Sequence, residues 1–429
     1  MKPECAPEEV GMSSERLENV TRWMNDKVDG GLLPCALTAV LRGDQLVYLK
    51  HSGMADVEAD KPVAADTIFR FYSMTKPITT VAAMMLYEQG LFQLDDPVCK
   101  YIPAFENMQV WASGDEHKFE TVPAERDFTV RDLMTHTSGL TYGWMEAHPV
   151  DAIYRERNIN FQESGLPLAD LMEKLGKAPL ICQPGSEWNY SVSTDVLGRL
   201  VEIWSGQTLE EYFQEKILVR LGMVDTAFHV APEKVDRFCA MYTPTTPQSM
   251  KIAVGGSEED SGNKALQGKS FKRIDGTDGS HFTEPAVTYS GGGGLVSTVA
   301  DYIRFTRMMA NYGELDGVRL LGRKTVEYMT INHLPNGSDL ADMGQSTFAE
   351  TPFDGIGFGL GFSVVLDPAK ANVIGSPGEY AWGGAASTAF WIDPEEDLTV
   401  IFLTQLLPSS AYPLRRELRV LTYQALIDT

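Results

Sequence analysis

A strand-like run, Thr67-Ile68-Phe69-Arg70-Phe71, leads through Tyr72 into Ser73-Met74-Thr75-Lys76, and a helix-like run then continues to Gly90. This junction constrains the fold more than any other stretch. A serine there sits at a helix start, where outward N–H groups and the axial field favour negative charge. Lys76 follows three residues later, so it rises on the same helical face as Ser73. A hydroxyl beside an amine is half of a nucleophile-and-base device. The alternative is plain capping, because serine is a preferred N-cap residue. A second Ser-x-x-Lys, Ser261-Gly262-Asn263-Lys264, lies in a polar, glycine-rich stretch and reads as loop. The first copy precedes Val81, Ala82, Met84, Met85 and Leu86, a buried-helix pattern.

The rest of the chain predicts an α/β organisation. Residues 13–29 read as an amphipathic helix capped by Ser13 or Ser14, with Leu17, Val20, Met24 and Val28 at helical spacing. Runs at 36–42 and 45–50 flank Gly43-Asp44, a two-residue hairpin turn. Residues 91–97 read as a turn and 128–135 as a short helix capped by Thr129. Helical patterning covers 168–177, 194–205 and 209–221. Residues 254–282 read as a long mobile surface loop, of a length at which a lid becomes plausible. Gly291–Gly294 lead into a helix at 298–312. No Gly-Lys-Ser/Thr follows them, so close backbone packing explains them better than a nucleotide loop. Strands are expected at 359–366, 388–394 and 398–406, and a last helix at 414–427.

Composition removes several function classes. A net charge of −23 repels nucleic-acid backbones. Five cysteines, at positions 5, 35, 99, 182 and 239, are odd in number and widely spaced, unlike a disulfide framework. The seven histidines form no metal-ligand spacing, so no metal or cofactor is expected. No apolar run is long enough to span a membrane, and the N-terminus shows no apolar signal segment. A cytoplasmic, bacterial origin is therefore expected. Asn189-Tyr190-Ser191 fits a glycosylation sequon, and a glycan beside the candidate base would block the cleft, in keeping with that origin.

A serine nucleophile needs a proton acceptor, and its oxyanion needs donors. Lys76 serves if neutral, or by lowering the pKa of a neighbouring tyrosine. Tyr190 and Tyr289 are both followed by serine; Tyr190 sits in a turn between helices and is the preferred partner. His136 and Ser138 lack the G-x-S-x-G setting and read as a structural turn. Gly383-Gly384, before the strand at 388–394, would let a substrate approach main chain closely, or would simply form a turn.

Ser73-Met74-Thr75-Lys76, Tyr190-Ser191 and Trp382-Gly383-Gly384, in that order and at these separations, resemble family VIII carboxylesterases of the serine β-lactamase-like superfamily, close to class C β-lactamases and penicillin-binding proteins. The similarity extends to Leu94–Pro97, Leu133–Leu140, Pro184–Ser191 and Ser290–Leu295, and Phe390–Pro394 resembles the lovastatin acyltransferase branch. The resemblance implies a β-lactamase-like fold: an antiparallel sheet flanked by helices, with an inserted mainly helical lobe. The expected division is 1–100 with 286–429 as a discontinuous α/β lobe, and 101–285 as the insert. It further implies Ser73 as nucleophile, Lys76 and Tyr190 as its proton relay, and the Ser73 and Ala385 N–H groups as oxyanion hole. Trp382, Gly383, Gly384, Tyr72 and Val192 would contact substrate.

Two departures point towards esters. Val192 stands where β-lactamases carry the Asn of Tyr-x-Asn, and Trp382-Gly383-Gly384 stands where they carry Lys-Thr-Gly. The amide and cation that would hold a β-lactam are therefore missing. The expected activity is hydrolysis of small or short-chain carboxylic esters, with weak β-lactam opening as a side reaction. The rivals are a β-lactamase or D-Ala peptidase, an acyltransferase, and a non-catalytic acyl-trapped binder.

Overall fold

The computed structural model describes residues 1–245, 269–344 and 353–428. Among these, eight strands form one antiparallel sheet. Its order is Ile356–Phe358, Ser363–Val365, Tyr380–Gly383, Ala389–Asp393, Leu398–Leu403, Cys35–Arg42, Gln45–Asp56 and Lys61–Pro62. The strand Leu398–Leu403 lies between Ala389–Asp393 and Cys35–Arg42, pairing Val400 with Val40 and with Trp391. This is the expected mixed fold of a large antiparallel sheet flanked by helices.

Both faces of the sheet are covered, so its central strands read as nearly continuous apolar runs. Side chains alternate across the sheet. Ala36, Val40, Val400 and Phe402 pack against the helices Ser14–Asp29 and Leu414–Tyr423. Leu37, Ala39, Leu41 and Ile401 face the larger core, which holds the helices Thr75–Tyr87 and Val299–Ala310. Thr75–Tyr87 is buried along every residue from Thr75 to Leu86, its polar Thr75, Lys76, Thr79 and Thr80 included. Its neighbour is the helix Ser193–Ser205.

Several expectations are realised closely. Ser13 caps the first helix through Arg16 N–H, and Thr129 forms a capping box with Asp132. Gly43 and Asp44 both take positive φ between paired strands. Others need correction. The single strand expected at 359–366 is a hairpin. Gly361 adopts φ +87°, and Gly359 N–H donates to Phe362 O at 2.8 Å, so the chain reverses between Ile356–Phe358 and Ser363–Val365. The expected loop 254–282 contains a strand, Phe271–Asp275, paired with Met241–Pro244. Buried Phe271 anchors it against Tyr242. The rest of that stretch up to residue 268, with Ser261 and Lys264, lies outside the described residues.

Among the described residues no helix is long and apolar enough to cross a membrane.

Candidate active site

The strand Phe69–Arg70 pairs with Val296–Ser297 and delivers the chain to a 3-10 turn, Tyr72–Met74, directly before the buried helix. Tyr72 takes φ +43°, a left-handed conformation costly for an aromatic residue and of the kind that collects at functional sites. Ser73 does not cap the helix. Met74 occupies the N-cap, without a side-chain bond. The half-buried Ser73 hydroxyl lies instead 2.5 Å from the Tyr190 hydroxyl and accepts from Lys76 Nζ at 3.3 Å. The structure thus brings Ser73, Lys76 and Tyr190 together. Tyr289 is elsewhere, its ring 5.2 Å from that of Phe228.

Lys76 is 2 % exposed. Its ammonium donates to Gly292 O at 2.7 Å and to the Tyr142 hydroxyl at 3.0 Å, and stands 4.6 Å above the Tyr190 ring. Burial pulls its pKa down to about 7, against the pull of Asp195 in the other direction. A substantial neutral fraction at ordinary pH makes it a usable base. Desolvation, with charge on Tyr190 and Asp195 adding, pushes the Tyr142 phenol well above its usual range. Tyr142 and Asp195 were not singled out from sequence. The local cues, an aromatic before Gly143 and an acidic residue in a helix first turn, are too common to mark a site.

The other side of the cleft is the end of the strand Tyr380–Gly383. A Cβ on Gly384 would collide with the Phe71 carbonyl and the Thr388 hydroxyl, so only glycine lets this loop lie against the turn that carries Ser73. Gly384 N–H donates to Thr388 O at 2.9 Å, Ser387 N–H to Gly384 O at 3.1 Å, and Ser387 Oγ to Leu406 O at 2.7 Å. The Arg415 guanidinium packs on Gly383 and donates to Thr388 O at 2.9 Å. The loop is tied down, with Ala385 half-buried in it.

Trp382 is buried behind the tyrosine, its ring 5.5 Å from Tyr190 and edge-on to Phe358 at 5.3 Å. Tyr72 turns away, its ring edge-on to Phe282 and its hydroxyl donating to Met241 Sδ at 3.4 Å. Val192 lines a cavity of about 250 Å³ beside Lys76, with Tyr142, Trp144, Tyr154, Phe161 and Asp195 among its walls. A second cavity, of about 190 Å³, shares Phe161, Gln162 and Ser290 with it. His136 and Ser138 are framework: His136 Nδ1 pairs with Ser191 Oγ at 3.3 Å beneath the Tyr190 ring, and Ser138 Oγ with Ser193 Oγ at 2.8 Å. Burial, then the Lys76 charge, hold the His136 pKa well below its usual value. No cluster of three or more His, Cys, Asp or Glu suited to a metal ion occurs among the described residues.

An antiparallel sheet over a buried helix that opens on a cleft serine is the architecture of the β-lactamase-like serine hydrolases, and fold and family place the molecule in that class. The Beta-lactamase family profile matches residues 20–424, and the chain belongs to this family. Protein Rv1367c of Mycobacterium tuberculosis is 34% identical over 384 residues, covering 89% of this chain and 88% of its own. Esterase EstB of Burkholderia gladioli is 31% identical over 376 residues, covering 86% of this chain and 85% of its own. Among solved structures, EstCE1, described as a hydrolase with promiscuous acyltransferase activity, superposes with a TM-score of 0.76 at 26% identity, covering 96% and 98% of the two chains.

Proposed function

We propose that the protein is a serine carboxylesterase acting on small or short-chain esters through a Ser73 acyl-enzyme. The observation that carries this reading is the Ser73 hydroxyl held 2.5 Å from Tyr190 and 3.3 Å from a lysine whose pKa is pulled down to about 7. In acylation, Ser73 Oγ bonds to the ester carbonyl carbon while its proton passes to the Lys76–Tyr190 pair. The Ser73 and Ala385 N–H groups hold the oxyanion. The tetrahedral intermediate collapses as the C–O bond to the alcohol breaks, and the relay returns its proton to the departing oxygen. Water then attacks the acyl-enzyme by the same steps in reverse, freeing the acid and Ser73. Val192 and the adjoining cavity would receive one end of the ester. The absence of an asparagine at position 192 and of a lysine at position 382 favours neutral esters over β-lactams.

Acyl transfer is a second reading, supported by the likeness to EstCE1: an alcohol in place of water would intercept the same acyl-enzyme. Hydrolysis of p-nitrophenyl esters of graded acyl length, with nitrocefin alongside and with added alcohols, ranks these activities. Ser73→Ala should abolish ester turnover with an unchanged circular dichroism spectrum; retained turnover would sink the assignment.

A further inference from the structure

The segment Ser290–Gly294 is threaded between the helices Thr75–Tyr87 and Ser193–Ser205. Thr79 Oγ1 donates to Gly291 O at 2.7 Å from one side. From the other, Asp195 Oδ1 accepts Gly292 N–H at 3.0 Å and the Ser290 hydroxyl at 2.5 Å. The next peptide group, on the other side of the Gly292 Cα, turns the Gly292 carbonyl to Lys76 Nζ at 2.7 Å. A Cβ on Gly292 would collide with the Asp195 carboxylate, so the glycine is what permits this contact. Asp195 is 1 % exposed, and an acid that deep persists only when paired and hydrogen-bonded.

We propose that Asp195 is a positioning residue for Lys76. Through Gly292, whose N–H it holds and whose carbonyl holds the lysine, it fixes where the lysine nitrogen sits, and its own negative charge sets how readily that nitrogen gives up its proton. The inference rests on the acyl-enzyme reading above. Among the described residues, the titratable groups gathered around Lys76 are Tyr142, Tyr190, His136 and Asp195. Tyr142 and His136 are held uncharged by burial. Burial raises the Asp195 pKa, and Lys76, Ser290 and the Gly292 N–H oppose that rise, which are the partners of a carboxylate. Asp195 is therefore the negative charge that offsets the desolvation of Lys76, and it keeps the lysine pKa from falling further.

Asp195→Asn removes the charge while keeping an oxygen for Ser290 and Gly292. The acid limb of kcat/KM for a p-nitrophenyl ester should then move to lower pH by about one unit or more, the usual size of a nearby opposite charge. A purely structural role would lower the plateau and leave the limb in place. An unmoved or raised limb overturns the inference. Heteronuclear NMR titration of the Lys76 Cε–Nζ group, in Ser73→Ala protein with and without Asp195→Asn, reads the same shift without turnover. That measurement decides the Asp195 question even if Ser73→Ala retains activity and the esterase reading fails. Should Asp195→Asn not fold, Ser290→Ala removes a donor that partly neutralises the same carboxylate; with that charge less offset, the limb should move to higher pH, and an unmoved limb there overturns the inference.

Discussion

The hydroxyls of Ser73 and Tyr190, 117 positions apart in the chain, stand 2.5 Å from each other, closer than Ser73 stands to the lysine three residues on. In the proposed relay Tyr190, which donates to Ser73 Oγ, becomes the nearest acceptor for the serine proton once its own has moved to Lys76, above its ring. Tyr190→Phe keeps the ring packing on Trp382 and His136 but removes that acceptor. It should lower kcat by about 10²–10⁴-fold, the usual size of a general-base contribution. A rate within about threefold of the parent would shift the role to Lys76 alone.

The pH profile follows from Lys76. With its pKa near 7, the relay holds one proton too many below that value and can accept none from Ser73. The kcat/KM for a neutral ester should therefore rise with pH through about 7 and fall about tenfold per unit on the acid side. The limb belongs to the Lys76–Tyr190 pair, since neutral lysine with phenol and ammonium with phenolate carry the same number of protons. Stopped-flow or steady-state rates between pH 5 and 9 are the measurement; a limb near pH 4 would point to a carboxylate base instead.

Gly384→Ala would drive a methyl group into the Phe71 carbonyl. The loop must then retreat from the nucleophile turn and carry the Ala385 N–H with it. Losing one oxyanion donor costs about a hundredfold or more in kcat. The expected pattern is a large fall in kcat with native circular dichroism, and an unchanged kcat would remove Ala385 from the mechanism.

Arg70 is fully buried three residues before Ser73. It donates to Asp275 Oδ2 at 2.6 Å, Gly276 O at 3.0 Å and Ser280 Oγ at 3.2 Å, and lies 4.0 Å over the Phe238 ring. Arg70→Met leaves the Asp275 carboxylate with Ser280 Oγ at 2.8 Å in place of the guanidinium, and takes away the donor that Arg70 holds 2.5 Å from the Cys239 carbonyl. Breaking a buried pair costs about 3 kcal/mol, which urea denaturation would register as an earlier midpoint. A midpoint unchanged within error would show the network to be dispensable.

The parts of the fold that are local were legible in the sequence. The helix after Ser73, the hairpin at Gly43-Asp44 and the Thr129 cap each rest on a few adjacent residues, and turn chemistry or apolar period reveals them. The turn at Gly361 was hidden because the apolar run at 358–366 masks one glycine's reversal. Phe271–Asp275 was hidden because its polar residues resemble loop and only Phe271 reaches the core. Preferring Tyr190 over Tyr289 from sequence agrees with their positions relative to Ser73. Asp195 and Tyr142 could not be found that way, since each matters only through what tertiary packing sets beside Lys76.

The sheet order has a consequence for synthesis. Cys35–Arg42 leaves the ribosome long before its neighbour on one side, Leu398–Leu403. Until that neighbour emerges the apolar strand has an unpaired edge, the kind of surface through which nascent chains aggregate. The loop at Gly384, anchored to Leu406, also cannot settle against the serine turn until then. A growing chain thus carries its serine long before it can carry a completed reaction centre.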